Sequence, residues 1–192
     1  MQGLPPAELG REVLSRLAPR FTTDFHRETR RVEHAGARIE VALDEGEISA
    51  AGRRVPIREL ELELEEGEPE ALWSLAEALA DSVPLRPADT SKAARGGALL
   101  REAWQLPEGA TPAAWLHRAV VALDALADTG EAHWRDEARR ALSHLAATRE
   151  AEDGALARQL AEALTRTDWL APPFGHTLLR LARRLPGDSP LA

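Results

Sequence analysis

Residues 38–44, Arg38-Ile39-Glu40-Val41-Ala42-Leu43-Asp44, and residues 59–64, Glu59-Leu60-Glu61-Leu62-Glu63-Leu64, alternate apolar and acidic side chains with a period of two. That period belongs to a strand with one apolar and one charged face. In the first segment Ile39, Val41 and Leu43 point one way and Glu40, Ala42 and Asp44 the other; in the second, Leu60, Leu62 and Leu64 oppose Glu59, Glu61 and Glu63. Neighbouring strands that aim carboxylates at one face repel each other unless water or a cation intervenes. Open water is one solution, since an antiparallel sheet often has a wet face. A divalent metal is the other, because hard cations take several carboxylate oxygens from a rigid scaffold.

Around these strands lies a chain of 192 residues, long enough for one ordinary domain or a small domain with an appendage. Its 44% hydrophobic content supports a core, and 29% charged residues mark a soluble protein. There are no cysteines, so disulfides and thiolate metal sites are excluded and any metal is held by oxygen or imidazole. No apolar run reaches membrane-spanning length, and the start, Met1-Gln2-Gly3-Leu4-Pro5-Pro6, lacks signal-peptide character. The expectation is a cytoplasmic protein that does not engage membranes. A net charge of -8 argues against nucleic acid as a partner while leaving room for a local basic pocket. Of the 24 lysines and arginines only Lys92 is a lysine, which singles out a position where a compact ammonium replaces the planar guanidinium. Drift in a GC-rich genome accounts for one stray lysine equally well.

Taken in order, residues 6–17 read as a short helix ended by Pro19. Residues 21–32 alternate as a polar strand, with Phe21, Thr23, Phe25, Arg27, Thr29 and Arg31 on one face and Asp24, His26, Glu28 and Arg30 on the other; periodicity does not settle which is inward. Ala35-Gly36 turns the chain into the first acidic strand. Asp44-Glu45-Gly46-Glu47 reads as the next turn, with a short strand from Ile48 and another turn at Ala51-Gly52 before the strand 57–65. Beyond Gly67 the period becomes helical, with Pro69 at a helix start and Leu72, Leu75, Ala76 and Leu79 positioned to cover the leucine face. Residues 81–87 form a proline-broken loop before Ser91-Lys92-Ala93-Ala94-Arg95-Gly96-Gly97. After Gly97 only helical patterns remain: 113–127 opened by Thr111-Pro112, 132–147, then a break at Asp153-Gly154, 155–164 ended by Pro172-Pro173, and 178–185. This is a helical array or small bundle. Trp104, Trp115, Trp134 and Trp169 fall at apolar helical positions and read as packing, and the scattered histidines do not pair at ligand spacing. No Ser-His-Asp arrangement and no phosphate-cradling glycine loop is visible.

Four segments occur together in one order: Phe21-Thr22-Thr23-Asp24-Phe25-His26-Arg27-Glu28; Ile39-Glu40-Val41-Ala42-Leu43-Asp44-Glu45-Gly46-Glu47-Ile48; Pro56-Ile57-Arg58-Glu59-Leu60-Glu61-Leu62-Glu63-Leu64; and Ser91-Lys92-Ala93-Ala94-Arg95-Gly96. Together they resemble the C-terminal half of a CYTH domain of the bacterial inorganic triphosphatase type. The resemblance implies the triphosphate tunnel metalloenzyme fold, a closed antiparallel barrel that binds triphosphate with basic residues and Mg2+ or Mn2+ with acidic ones. By position, Asp44, Glu59 and Glu61 resemble the metal-binding carboxylates, with Glu40 on the same wall and the register among Glu59, Glu61 and Glu63 left open. Arg27 and Lys92 resemble the groups that clamp the terminal phosphates and stabilise charge in catalysis, and Arg95 adds a substrate contact. The family's Glu-x-Glu-x-Lys strand has no match in residues 1–20, so the chain is expected to begin in the middle of the barrel.

The resulting expectation is an α+β protein. Residues 1–98 form a partial CYTH domain, an antiparallel sheet making about half of a triphosphate-tunnel barrel. Residues 99–192 form a helical bundle, CHAD-like by position only because the basic Arg- and His-rich runs of that module are lacking. The implied activity is metal-dependent hydrolysis of tripolyphosphate to diphosphate and phosphate, incomplete or weak in this chain alone. A second copy or a complementing N-terminal half would complete the tunnel. The alternative is a non-catalytic module, derived from a CYTH domain, that binds polyphosphate or a nucleotide or docks a partner.

Overall fold

The computed structural model describes residues 10–148 and 151–185. It is an α+β structure in which one three-stranded antiparallel sheet is followed by helices. The expected first helix is seen as α1 (Gly10–Leu14); residues 6–9 lie outside the described residues. The sheet runs β1 (Thr22–His34), β2 (Ala37–Ala50) and β3 (Arg53–Glu66), in spatial order β1-β2-β3. Both hairpin turns fall where expected. Ala35-Gly36 and Ala51-Gly52 have positive φ at both positions (48° and 78°; 49° and 78°), as a two-residue turn matching the strand twist requires. β1 and β3 each leave their outer edge without a strand partner among the described residues.

The expected turn at 44–47 is instead the middle of β2. Gly46 pairs with Phe25 on one side and Ile57 on the other. Its backbone is so closely approached by β1 that a Cβ would lie 2.1 Å from the Asp24 carbonyl oxygen and 2.4 Å from the Phe25 Cα. The glycine that reads as a turn signal is there for close strand packing.

The two faces of the sheet are covered at opposite ends. Helix α2 (Glu70–Ala80) lies over the leucine face, where Ala71, Leu72 and Leu75 pack on Ala37, Ile39, Val41, Leu62 and Leu64. Leu43 and Leu60, further along that face, remain 40% and 44% exposed. On the other face, α3 (Lys92–Arg101) sits over a small apolar cluster of Phe25, Ile48, Val55, Ile57 and Leu99. The pair Gly96-Gly97 argues against a helix by propensity, yet Gly96 is inside α3 because a Cβ there would meet the Phe21 ring at 2.4 Å. Ser91 caps α3, its hydroxyl accepting from the Ala94 N–H at 3.2 Å.

The bundle consists of α4 (Pro112–Thr129), α5 (Ala132–Thr148), α6 (Ala151–Ala163) and α7 (Pro172–Arg184). Thr111 caps α4 as expected, accepting from the Ala114 N–H at 3.1 Å. Asp153-Gly154 lies inside α6 and does not break it, since both residues are buried against the bundle. Pro172-Pro173 opens α7, where a first-turn proline sacrifices no helical hydrogen bond. Leu123, Leu142, Leu145, Leu160, Leu164, Leu178 and Leu181 fill the core, with Trp115 and Trp169 packed at its margin. No described helix is long and apolar enough to cross a membrane.

Candidate metal centre

On the charged face of the sheet the strand register brings the acidic residues together. Arg27, Asp44 and Glu59 are direct cross-strand neighbours on β1, β2 and β3. Glu61 lies opposite Ala42, one step along the same face, and Glu63 lies opposite Glu40. Carboxylate oxygens of Asp44, Glu59 and Glu61 all fall within 4.8 Å of one another. Glu40, although on the same face, is opposite Arg31 and Glu63 and stands outside this group.

Asp44 is fully buried, at 0% exposure, an unusual state for a carboxylate. Arg27 grips it with two bonds, Nε to Oδ1 at 2.6 Å and Nη2 to Oδ2 at 2.7 Å, and Nη2 also donates to Glu61 Oε2 at 2.5 Å. These bonds from Arg27, with the Lys92 ammonium behind them, overcome desolvation and hold Asp44 at about 2, below its ordinary 3.8. Its contribution to stability is therefore complete above the ordinary carboxylate value and fades as pH falls toward 2.

Lys92, the first residue of α3, places Nζ among all three carboxylates: 2.8 Å from Asp44 Oδ2, 2.6 Å from Glu59 Oε2 and 2.7 Å from Glu61 Oε1. Burial works against the charge, but the bonds to Asp44, Glu59 and Glu61 outweigh it and raise the ammonium's pKa above its usual value. A three-donor point charge suits this converging geometry better than a planar fork. The Phe25 ring lies beneath, its centroid 5.2 Å from Lys92 Nζ and 5.8 Å from Arg27 Cζ.

Arg95, one helical turn beyond Lys92 on the same side of α3, also meets Glu59 and is nearly buried. Its Nη1 donates to Glu59, its Nη2 to the Pro56 carbonyl at 2.6 Å, and Nε and Nη2 clasp the Asp128 carboxylate at 2.6 to 3.2 Å. Asp128 and, one turn earlier on α4, Asp124 escaped the sequence reading. Asp124 accepts from Arg86 Nη1 at 2.5 Å and from the backbone N–H groups of Asp89 and Thr90 at 3.1 and 3.0 Å. The available signal was two aspartates at i, i+4 inside the otherwise apolar run 119–127 and its end. His117, one of the scattered histidines, is paired with Asp89 beside this network.

Comparison with known proteins places this geometry. Residues 3–96 match the CYTH domain family. The sheet and the start of α3 fall within that match. Over 96 residues the chain is also 38% identical to the inorganic triphosphatase of Haemophilus influenzae (strain ATCC 51907 / DSM 11121 / KW20 / Rd). That match covers 50% of this chain and 27% of the relative, so the chain spans about a quarter of that protein's length. Asp44, Glu59, Glu61, Arg27, Lys92 and Arg95 all lie within the CYTH segment, and Asp124 and Asp128 lie outside it.

Three converging carboxylates, one of them buried and pre-aligned, fit a hard divalent cation. Lys92 Nζ supplies a positive charge at that focus in the structure as it stands.

Proposed function

We propose that the CYTH segment of this chain forms one wall of a metal-dependent inorganic triphosphatase, acting on tripolyphosphate to give diphosphate and phosphate and working weakly or incompletely as this chain alone. The carrying observation is the convergence of Asp44, Glu59 and Glu61 within 4.8 Å, and the CYTH match and the triphosphatase relative support it. These three carboxylates would hold Mg2+ or Mn2+, with Glu40 further along the wall. A bound divalent ion would neutralise phosphate oxygens and orient the leaving group.

Arg27, 40% exposed, and Lys92 are the catalytic and substrate-binding cations in this proposal. Each reaches the open face from a carboxylate it now neutralises, and each can turn to a phosphate oxygen to stabilise charge in phosphoryl transfer. Arg95, proposed from the sequence as a third phosphate contact, is better suited by its bonds to holding Glu59. The outer edges of β1 and β3, unpaired among the described residues, offer the place where a second copy or a complementing N-terminal half would close the tunnel. In this proposal the chain divides at residue 98 into a CYTH-like part and a helical part, with α3 running across that boundary.

One observation favours the non-catalytic alternative: Arg27, Lys92 and Arg95 are all bound to the chain's own carboxylates on an open sheet. Such a surface could hold polyphosphate or a nucleotide without cleaving it. Phosphate release from tripolyphosphate with Mg2+ separates these outcomes. Slow turnover abolished by Asp44→Ala is expected. Calorimetric binding of tripolyphosphate without turnover would establish the binding module, and neither binding nor turnover would refute both.

A further inference from the structure

The helical region reaches into the carboxylate centre at one point. Asp128 on α4 lies beyond the CYTH segment and is only 5% exposed at its side chain. It clasps the guanidinium of Arg95, whose opposite end donates to Glu59. Glu59 in turn is 2.6 Å from Lys92 Nζ and belongs to the three-carboxylate group. The line Asp128–Arg95–Glu59 is thus a chain of charge-assisted bonds from the bundle to the sheet.

Its electrostatics have a definite sense. Arg95 beside Glu59 alone would be a buried cation balanced by one carboxylate, and Glu59 would be fully engaged as its counter-ion. With Asp128 on the far side, two carboxylates share one guanidinium. Net negative charge is then left over, and Glu59 keeps an oxygen facing Lys92 and the focus of the site. The Pro56 carbonyl, accepting from Nη2, fixes the plane of the fork. Arg95 can therefore orient Glu59 without withdrawing its charge from a cation.

We propose that Asp128 is a positioning residue for the metal centre. Acting through Arg95, it sets the orientation of Glu59 and the share of its charge that a divalent ion can use. This rests on the reading of Asp44, Glu59 and Glu61 as metal ligands. It assigns to the helical region a part in the chemistry of the sheet.

Asp124 provides the internal control. It is on the same helix, equally buried and ion-paired, but its partners are Arg86 and the backbone of residues 89 and 90, and it makes no bond to the three carboxylates. The test is Mn2+ titration of the full chain, followed by electron paramagnetic resonance of the free ion, with melting temperature measured on each protein. Removing an outer-sphere partner of a metal ligand weakens binding by about 10- to 100-fold. Arg95 is that partner of Glu59 and Asp128 lies one bond further out, so Asp128→Asn is expected to weaken Mn2+ binding by about tenfold, the lower end of that range. Asp124→Asn is expected to lower the melting temperature at unchanged affinity.

Should Asp128→Asn fail to fold, Arg95→Lys gives the same reading, because an ammonium keeps the charge but cannot bridge Asp128, Pro56 and Glu59 together. Weakened Mn2+ binding in that variant supports the proposal, and unchanged binding overturns it. Equal weakening by Asp124→Asn and Asp128→Asn also overturns it, since that result reports loosened docking of α4. Saturable Mn2+ binding by the unsubstituted chain that is lost in Glu59→Gln but unchanged in Asp128→Asn sinks the positioning role alone. No saturable Mn2+ binding by the unsubstituted chain sinks the metal reading and the proposal with it.

Discussion

Lys92 is the residue whose chemistry departs most from its surroundings. Any arginine nearby would present a flat fork, whereas its ammonium meets three carboxylates from two strands at 2.6 to 2.8 Å. The singular lysine was legible in the composition; its partners were not, because α3 must first dock on the sheet. Lys92→Met would leave Asp44, Glu59 and Glu61 with Arg27 and Arg95 as the remaining cations. Leaving a buried acceptor unsatisfied costs about 1–3 kcal/mol, and more when the acceptor is charged. We expect the variant to melt lower than the unsubstituted chain in EDTA and to recover more on addition of Mg2+, because the ion then has no ammonium to displace. Identical melting of the two proteins in EDTA and in Mg2+ would show that Lys92 is not the counter-ion of this cluster.

At the level of elements, strand register is what converts a pattern into a site. Alternation alone gave every carboxylate of 59–63 the same standing. Pairing of Asp44 with Glu59 and of Ala42 with Glu61 draws these three together, whereas pairing of Glu40 with Glu63 leaves both aside. That register depends on Gly46, which lets β1 close on β2 beside Phe25, the ring under Lys92 and Arg27. A methyl at Gly46 would collide with backbone atoms of Asp24 and Phe25, which cannot move aside as a flexible side chain would. Gly46→Ala should destabilise the protein by about 1–3 kcal/mol, as overpacking does. Urea denaturation measures this, and an unchanged midpoint would mean that the strands part there at no cost. The same glycine explains why residues 44–47 read as a turn: a local signal cannot distinguish a glycine needed for chain reversal from one needed for close approach.

Across the whole molecule, the sheet and the bundle are joined through buried charge as well as apolar contact. α4 holds the segment before α3 through Asp124 and α3 itself through Asp128, while Arg183 of α7 reaches Glu70 and Glu77 of α2. Breaking a buried ion pair by removing one partner costs about 3–5 kcal/mol. Asp124→Ala leaves Arg86 with only the Pro87 carbonyl, and two backbone N–H groups without an acceptor, so we expect α4 to stay docked in the native protein but the halves to unfold separately in urea. Urea unfolding followed by strand and helix signals should be a single transition in the unsubstituted chain and two in the variant. One shared transition in both would show that apolar contact alone couples them.

The alternation at 38–44 and 59–64, the Ala-Gly hairpins and the helical periods after Gly67 are short-range properties of the chain. By themselves they determined an α+β protein with an acidic sheet face, and the ordered segments from Phe21 to Gly96 pointed to the CYTH family. The choice of Asp44, Glu59 and Glu61 over Glu40 and Glu63, the seating of Lys92 among them, and the reach of Asp128 from α4 were decided only by tertiary structure. Strand pairing and helix docking bring together groups far apart in sequence, and the energy of a charge depends on which opposite charges and how much water lie within a few ångströms of it.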